Sequence, residues 1–232
     1  MNARATIPRC CRRRAAAVIA LLSLGACNAL RPLVAPAELP TVYSLAGRPD
    51  AVTAAPSPRP AAATSLTLIV SPPHAAAGFD SPRMMYLKRT DELEYFAHNE
   101  WVDTPARMLA PLIVAAVEAR GAFRAVVQTP SPASGEMRLD TEILRLQQEF
   151  LGAPSRVRFT LRAYLVESAT RRVISSREFE ATVDATSDDP RGGVTAAHQA
   201  VRRVLTELAD FCSRTATGEK AGDYTCDFRK DS

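Results

Sequence analysis

Histidine is scarce in this chain. His74, His98 and His198 are the only three in 232 residues, and no two of them stand at zinc-ligand spacing. Cys212 and Cys226 have no neighbouring His or Cys to complete a tetrahedral set. The histidines are therefore expected to lie at the surface or to be satisfied by hydrogen bonds, and no metal is expected. Two further motifs are missing. One is the G-x-x-x-x-G-K-[ST] loop that cradles phosphates; the other is the G-x-S-x-G elbow that presents a nucleophile. Without them the chain has no nucleotide-driven motor and no recognisable catalytic constellation, so it is not expected to be an enzyme. No apolar run approaches the roughly 20 residues needed to cross a bilayer as a helix. No internal repeat with a convincing period is found.

What is present begins with Arg4, Arg9, Arg12, Arg13 and Arg14, without an acid among them. The apolar stretch from Ala15 to Leu22 follows, then Leu24-Gly25-Ala26-Cys27. Basic region, short apolar region and small residues, in that order, are those of a secretory signal. The last four residues resemble a bacterial lipobox. In that motif the Cys thiol receives a diacylglyceryl group, the leader is cut just before it, and the new amino group is acylated. Cys27 is the expected lipidation site, and residues 1–26, with Cys10 and Cys11, are expected to be removed. Asn28 after the Cys is compatible with transfer to the outer membrane rather than retention in the inner one. Removing the leader takes away five arginines, so 29 basic and 25 acidic residues become a mature balance of about −1. The basic character of the whole chain thus belongs to the leader, and a nucleic-acid partner loses its support. Two or more acyl chains give a stable anchor, since each buried CH₂ contributes about 0.8 kcal/mol.

Residues 28–40 carry three prolines and read as a tether. Thr41 to Leu45 reads as a short strand, and the Pro- and Ala-rich stretch 47–64 as an extended loop. Leu66, Leu68 and Val70 alternate in a β-rich run. Met84–Lys88 and Leu93–Ala97 form the arms of a hairpin turning at Thr90-Asp91. Asp103 or Thr104 caps a helix with Pro105 at its first position, with Met108, Leu109, Leu112, Ala116 and Val117 on one face. Gly121 ends it. "AFRAVVQ" is the next strand. Three long strands follow at 136–150, 155–167 and 172–184. The first changes apolar phase near Leu144, which predicts a bulge. The second alternates cleanly, with Val157, Phe159, Leu161, Ala163 and Leu165 against Arg156, Arg158, Arg162 and Tyr164. A last amphipathic helix is expected over 194–212, and a polar tail over 213–232. The expected fold is α+β: a largely antiparallel β-sheet with two amphipathic helices packed on one face. The other face is expected to be solvated or to meet a partner, with Arg158 and Arg162 as candidate contacts.

Several residues invite a functional reading. Asp188-Asp189 could be an acid pair, but beside Pro190 they read as helix-start residues. Glu178 and Glu180 share a strand face and read as solvated charges. Trp101 reads as a packing residue beside a helix start. A disulfide between Cys212 and Cys226 suits an oxidising periplasm, and two free thiols are the alternative.

The lipobox, "VYSL", "LTLIV" and "SPRMMYLKRTDELEYFAHNEWVDTPARML" resemble one bacterial family, as do "RLDTEILRLQQEF", "VRFTLRAYLVES" and "AAHQAVRRVLTELADFC". The chain is similar to the ABC-type transport auxiliary lipoproteins over roughly residues 39–212. The long Pro/Ala loop and the Cys-containing tail depart from the family pattern. The resemblance implies a non-enzymatic accessory lipoprotein of an envelope lipid transport system. Its partners would be an MCE-domain periplasmic protein and, indirectly, an ABC permease and ATPase. No cofactor is implied beyond the acyl groups on Cys27. Self-association into a homo-oligomer is compatible with this role. A structural lipoprotein that assists outer-membrane assembly without a transporter is the alternative.

Overall fold

A computed structural model of the chain describes residues 39–46 and 64–218. Cys27, the tether before Leu39, the Pro/Ala stretch 47–63 and Cys226 lie outside the described residues. The chain divides into two units, Met1–Leu39 and Pro40–Ser232, and the fold described here belongs to the second.

Among the described residues, nine strands and two helices make a two-layer α+β fold. In chain order these are β1 (Thr41–Tyr43), β2 (Thr67–Val70), β3 (His74–Ala75), β4 (Arg83–Arg89) and β5 (Glu92–Trp101). Helix α1 (Pro105–Ala119), β6 (Ala125–Gln128), β7 (Met137–Glu149), β8 (Arg156–Glu167), β9 (Val173–Asp184) and α2 (Pro190–Ala216) complete them. The hairpin, both helices and the three long strands fall where the alternation and the cap residues place them. The two-residue β3 carries no sequence signal, and α2 begins four residues earlier than its apolar stripe.

The sheet is mixed, which corrects the expectation of a largely antiparallel one. β4–β5, β7–β8 and β8–β9 are antiparallel. β1–β5, β2–β6, β2–β7, β3–β7 and β4–β7 are parallel. β2, β4, β6 and β7 run in one direction, while β5 and β8 run in the other, so pairs within the first group are parallel and the hairpin pairs are antiparallel. Strand β7 organises the whole. One edge pairs with β8 along its full length, while the other meets β2, β3 and β4 in succession.

Both helices pack on the same sheet face. α1 lies by β6, β3 and β7, α2 lies by β8 and β9, and the two touch each other. The core between the layers holds Leu109, Ile113 and Val117 of α1 and Val201, Val204, Leu208 and Phe211 of α2. Opposite them stand Leu139, Ile143, Phe159, Leu161 and Leu165. Each such side chain contributes about 1.5–3 kcal/mol on leaving water. Ile113 is fully buried, although the sequence stripe passes it over for Leu112 and Ala116, which are half-buried. Trp101 is core, as expected of a residue packed beside a helix start.

Helix starts are chemically specified. Thr104 caps α1 by accepting from the Arg107 N–H at 3.4 Å, and Pro105 occupies the first turn. Asp189 caps α2 by accepting from the Gly192 N–H at 2.7 Å. Its neighbour Asp188 turns the other way and accepts from the Ser155 N–H at 2.7 Å, tying the β7–β8 turn to the helix start. Backbone hydrogen bonds to Ser155 and Gly192 hold both carboxyls below the usual carboxylate range.

Candidate functional site

Helices cover one face of the sheet, so any partner surface built from strands is on the other, open face. β7 brings Arg138, Asp140 and Glu142 to it, passes through a bulge between Ile143 and Arg145, then brings Arg145, Gln147 and Glu149 to the same side. The bulge is therefore what keeps one polar surface along thirteen residues of strand. β8 adds Arg156, Arg158, Thr160, Arg162 and Tyr164, and β9 adds Glu178 and Glu180.

These charges pair with one another. Glu149 has a 4 % exposed side chain and stands at the centre. Arg158 Nε donates to Glu149 Oε1 at 2.8 Å and Arg158 Nη1 to Glu180 Oε1 at 2.6 Å. Arg156 Nε donates to Glu149 Oε2 at 3.3 Å and Gln147 Nε2 to Glu149 Oε1 at 3.1 Å. Thr160 Oγ1 donates to Glu180 Oε2 at 3.0 Å. Arg162 lies 3.7 Å from Glu142 and donates to Glu178 at 3.0 Å. Burial pushes the Glu149 carboxyl up, but the hydrogen bonds from Arg158 and Gln147 and the charges of Arg158 and Arg156 outweigh it. The carboxyl lies below its ordinary value. Glu178 and Glu180 are ion-paired rather than simply solvated, and Arg158 and Arg162 spend their charge within the sheet.

On the hairpin side the same face changes character. Register places Met85 beside Gln147 and Leu87 beside Glu149, with Tyr95 and Leu93 next across β5. Arg83 stacks its guanidinium on the Tyr95 ring at 4.2 Å. The other hairpin face carries Tyr86, whose hydroxyl donates to Glu94, and Phe96 at 4.5 Å ring separation.

The remaining candidates are dispersed. His74 and His98 are exposed, and His198 Nε2 lies 2.7 Å from the Ser44 carbonyl oxygen. Among the described residues no group of three or more His, Cys, Asp or Glu could hold a metal ion. Cys212 is fully buried in α2, and burial pushes its thiol up to about 12. Its expected pairing partner, Cys226, lies outside the described residues. A small cavity of about 20 Å³ lies under the start of α2, lined by Met84, Phe96, Trp101, Leu146, Gln148 and Gly193 among others. Gln148 Nε2 donates to Ser155 Oγ at 2.9 Å and to the Asp189 carbonyl at 3.3 Å, which locks the helix start to the sheet. A β-carbon on Gly193 would stand 2.1 Å from Gln148 Oε1, so any larger residue there would displace the Gln148 amide.

The class these features define is a two-layer α+β domain with a mixed sheet, one face under two helices and one open and ionically braced. Within that class, residues 43–209 match the model of the ABC-type transport auxiliary lipoprotein component, and the chain belongs to this family. Protein XCC0632 from Xanthomonas campestris shares the fold at TM-score 0.64 and 25% identity, over 77% of this chain and 98% of its own. A second solved structure, of an uncharacterized protein, aligns at TM-score 0.55 and 14% identity, over 77% and 99%. Lipoprotein GNA1162 from Neisseria meningitidis aligns at TM-score 0.36 and 12% identity, over 65% and 99%. No curated protein matches the chain.

Proposed function

We propose that this lipoprotein is a non-enzymatic accessory subunit of an ABC/MCE-type intermembrane lipid transport system. Acyl chains on Cys27 hold it at the periplasmic face of the outer membrane, and its folded domain docks the periplasmic conduit. The family match over residues 43–209 carries the reading. Physical chemistry supports the division of labour. A lipid leaving a bilayer exposes acyl chains at about 0.8 kcal/mol per CH₂, so transfer needs an apolar path and an energy source. This chain has no phosphate-binding loop, and among the described residues no helix is long and apolar enough to cross a membrane. Path and energy would come from an MCE-domain protein and from an ABC permease and ATPase.

The test is a crosslinked pull-down of the acylated protein from native membranes, with mass spectrometry of partners and of the Cys27 peptide. The expected result is an MCE-domain protein together with diacylglyceryl-modified Cys27. Recovery of outer-membrane assembly proteins alone would replace this reading with that of a structural lipoprotein.

A further inference from the structure

Four exposed large apolar side chains, Val42 (50 % exposed), Leu93 (41 %), Tyr95 (49 %) and Val102 (60 %), belong to the β1–β5–β4 side of the molecule, while Leu151, Val173 and Ile174 are exposed at strand ends elsewhere. Pairing sets them in two groups. Tyr95 and Leu93 stand opposite Met85 and Leu87, while Val42 stands opposite Glu100 and Val102 donates its N–H to the Tyr43 carbonyl, with the Arg83–Glu100 pair between the groups. Together they form an amphipathic strip on the open face, next to the ion-paired ladder of β7–β9. Exposed apolar side chains grouped in this way mark an interaction site.

We infer that this strip rests on the lipid bilayer that holds the Cys27 anchor, an inference that depends on the lipidation in the proposed function. Three observations favour lipid. First, the tether joins the domain at β1, the strand that carries Val42. The fourteen residue steps from Cys27 to Thr41 span at most about 50 Å, at ~3.3–3.6 Å per step. A domain so tethered meets its own membrane at high effective concentration, so a modest apolar contact is enough. Second, the residues flanking 47–63 and 219–232 stand on the helix side. Ser44 meets His198 of α2, Thr64 bonds to the Ala122 carbonyl after α1, and 219–232 follow α2. Third, the strip has interfacial chemistry. Tyr95 offers an apolar ring with a polar tip, and Arg83 stacks along that ring.

The experiment uses the acylated full chain in vesicles of phosphatidylethanolamine and phosphatidylglycerol at about 3:1, a mixture with some anionic lipid. In a Cys226→Ser background, Val42→Cys, Tyr95→Cys, Ser176→Cys and Thr206→Cys each carry an environment-sensitive fluorophore; Cys212 is buried and stays unlabelled. Lipids brominated on the acyl chain are expected to quench the labels at 42 and 95 at least about two-fold more than those at 176 and 206. Equal quenching at all four sites, or none at 42 and 95, overturns the inference. So does a concentration-dependent change at 42 and 95 without vesicles, which would assign the strip to a second copy. Flotation of the same samples separates the two ideas. Protein that floats without quenching loses the strip but keeps the anchor, and protein that does not float loses the anchor.

Discussion

Thr141 is buried at 2 % exposure on the helix face of β7, and its hydroxyl has no hydrogen-bond partner among the described residues. An unmade buried hydrogen bond costs more than an absent polar group of the same shape. Thr141→Val is therefore expected to stabilise the protein by about 1 kcal/mol, read from the urea midpoint. A loss of similar size would mean that the hydroxyl is satisfied in solution. Glu149 presents the opposite case, a buried charge with every neighbour arranged for it. Removing its main partner by Arg158→Ala is expected to cost about 2 kcal/mol at neutral pH, less than for a fully buried pair because Arg158 is 26 % exposed and Arg156 remains. The direction with pH follows from the lowered carboxyl. Its stabilisation is present above the unfolded-state value, about 4.3, and is lost as pH falls through the lower folded-state value. The stability gap between wild type and Arg158→Ala should therefore widen from about pH 3 to about pH 7 in urea titrations. A gap constant across that range would remove Glu149 from the account.

At the scale of elements, one residue interrupts β7. Leu144 is the bulge residue, the extra position between Ile143, opposite Leu161, and Arg145, opposite Thr160. Deleting Leu144 gives unbroken register with β8 and leaves Arg145, Gln147 and Glu149 on the open face and Leu146 and Gln148 on the helix face. The deletion variant is therefore expected to remain folded and soluble, checked by circular dichroism and gel filtration. Loss of cooperative unfolding in that variant would mean that the local bend of the bulge is itself required. The same principle of local specification governs the start of α2. Gly192 and Gly193 are poor helix formers, yet a β-carbon on Gly192 would stand 2.2 Å from the Ser187 carbonyl oxygen. Close approach to the loop between β9 and α2 outweighs helix propensity there.

At the scale of the whole molecule, attachment and recognition are separate problems. The folded unit supplies two faces of different chemistry, one under helices and one open, while the proposed attachment point, Cys27, lies outside the described residues. Cys27→Ala is expected to move the protein from the membrane pellet to the soluble periplasmic fraction. The urea unfolding of the domain should not change. Continued membrane association of the variant would mean that folded surface, not lipid, holds it. The open face also shows why charge in the sequence does not identify a partner site. Arg158 and Arg162 look available in a strand of alternating residues, but Glu149, Glu180, Glu142 and Glu178 from two neighbouring strands occupy them.

Alternation and capping are local properties, and they determined much of this protein from sequence alone. The phase of β8, the phase change in β7, the Thr104 and Asp189 helix starts and the hairpin turn all rest on residues within a few positions of one another. The expected leader and lipobox are read from local sequence in the same sense, as is the family resemblance carried by contiguous segments. Strand order and direction are not local. Whether β2 runs parallel or antiparallel to β7 depends on contacts between residues some seventy positions apart, such as Leu68 beside Met137. Side-chain burial on the open face follows from those pairings. Glu149 becomes a buried, paired carboxylate only when β7 and β8 are zipped in one register, and Tyr95 joins an amphipathic strip only when β5 lies beside β4 and β1. Tertiary structure alone decided these outcomes, because hydrophobic period fixes which face a side chain takes and leaves open which strand lies beside it.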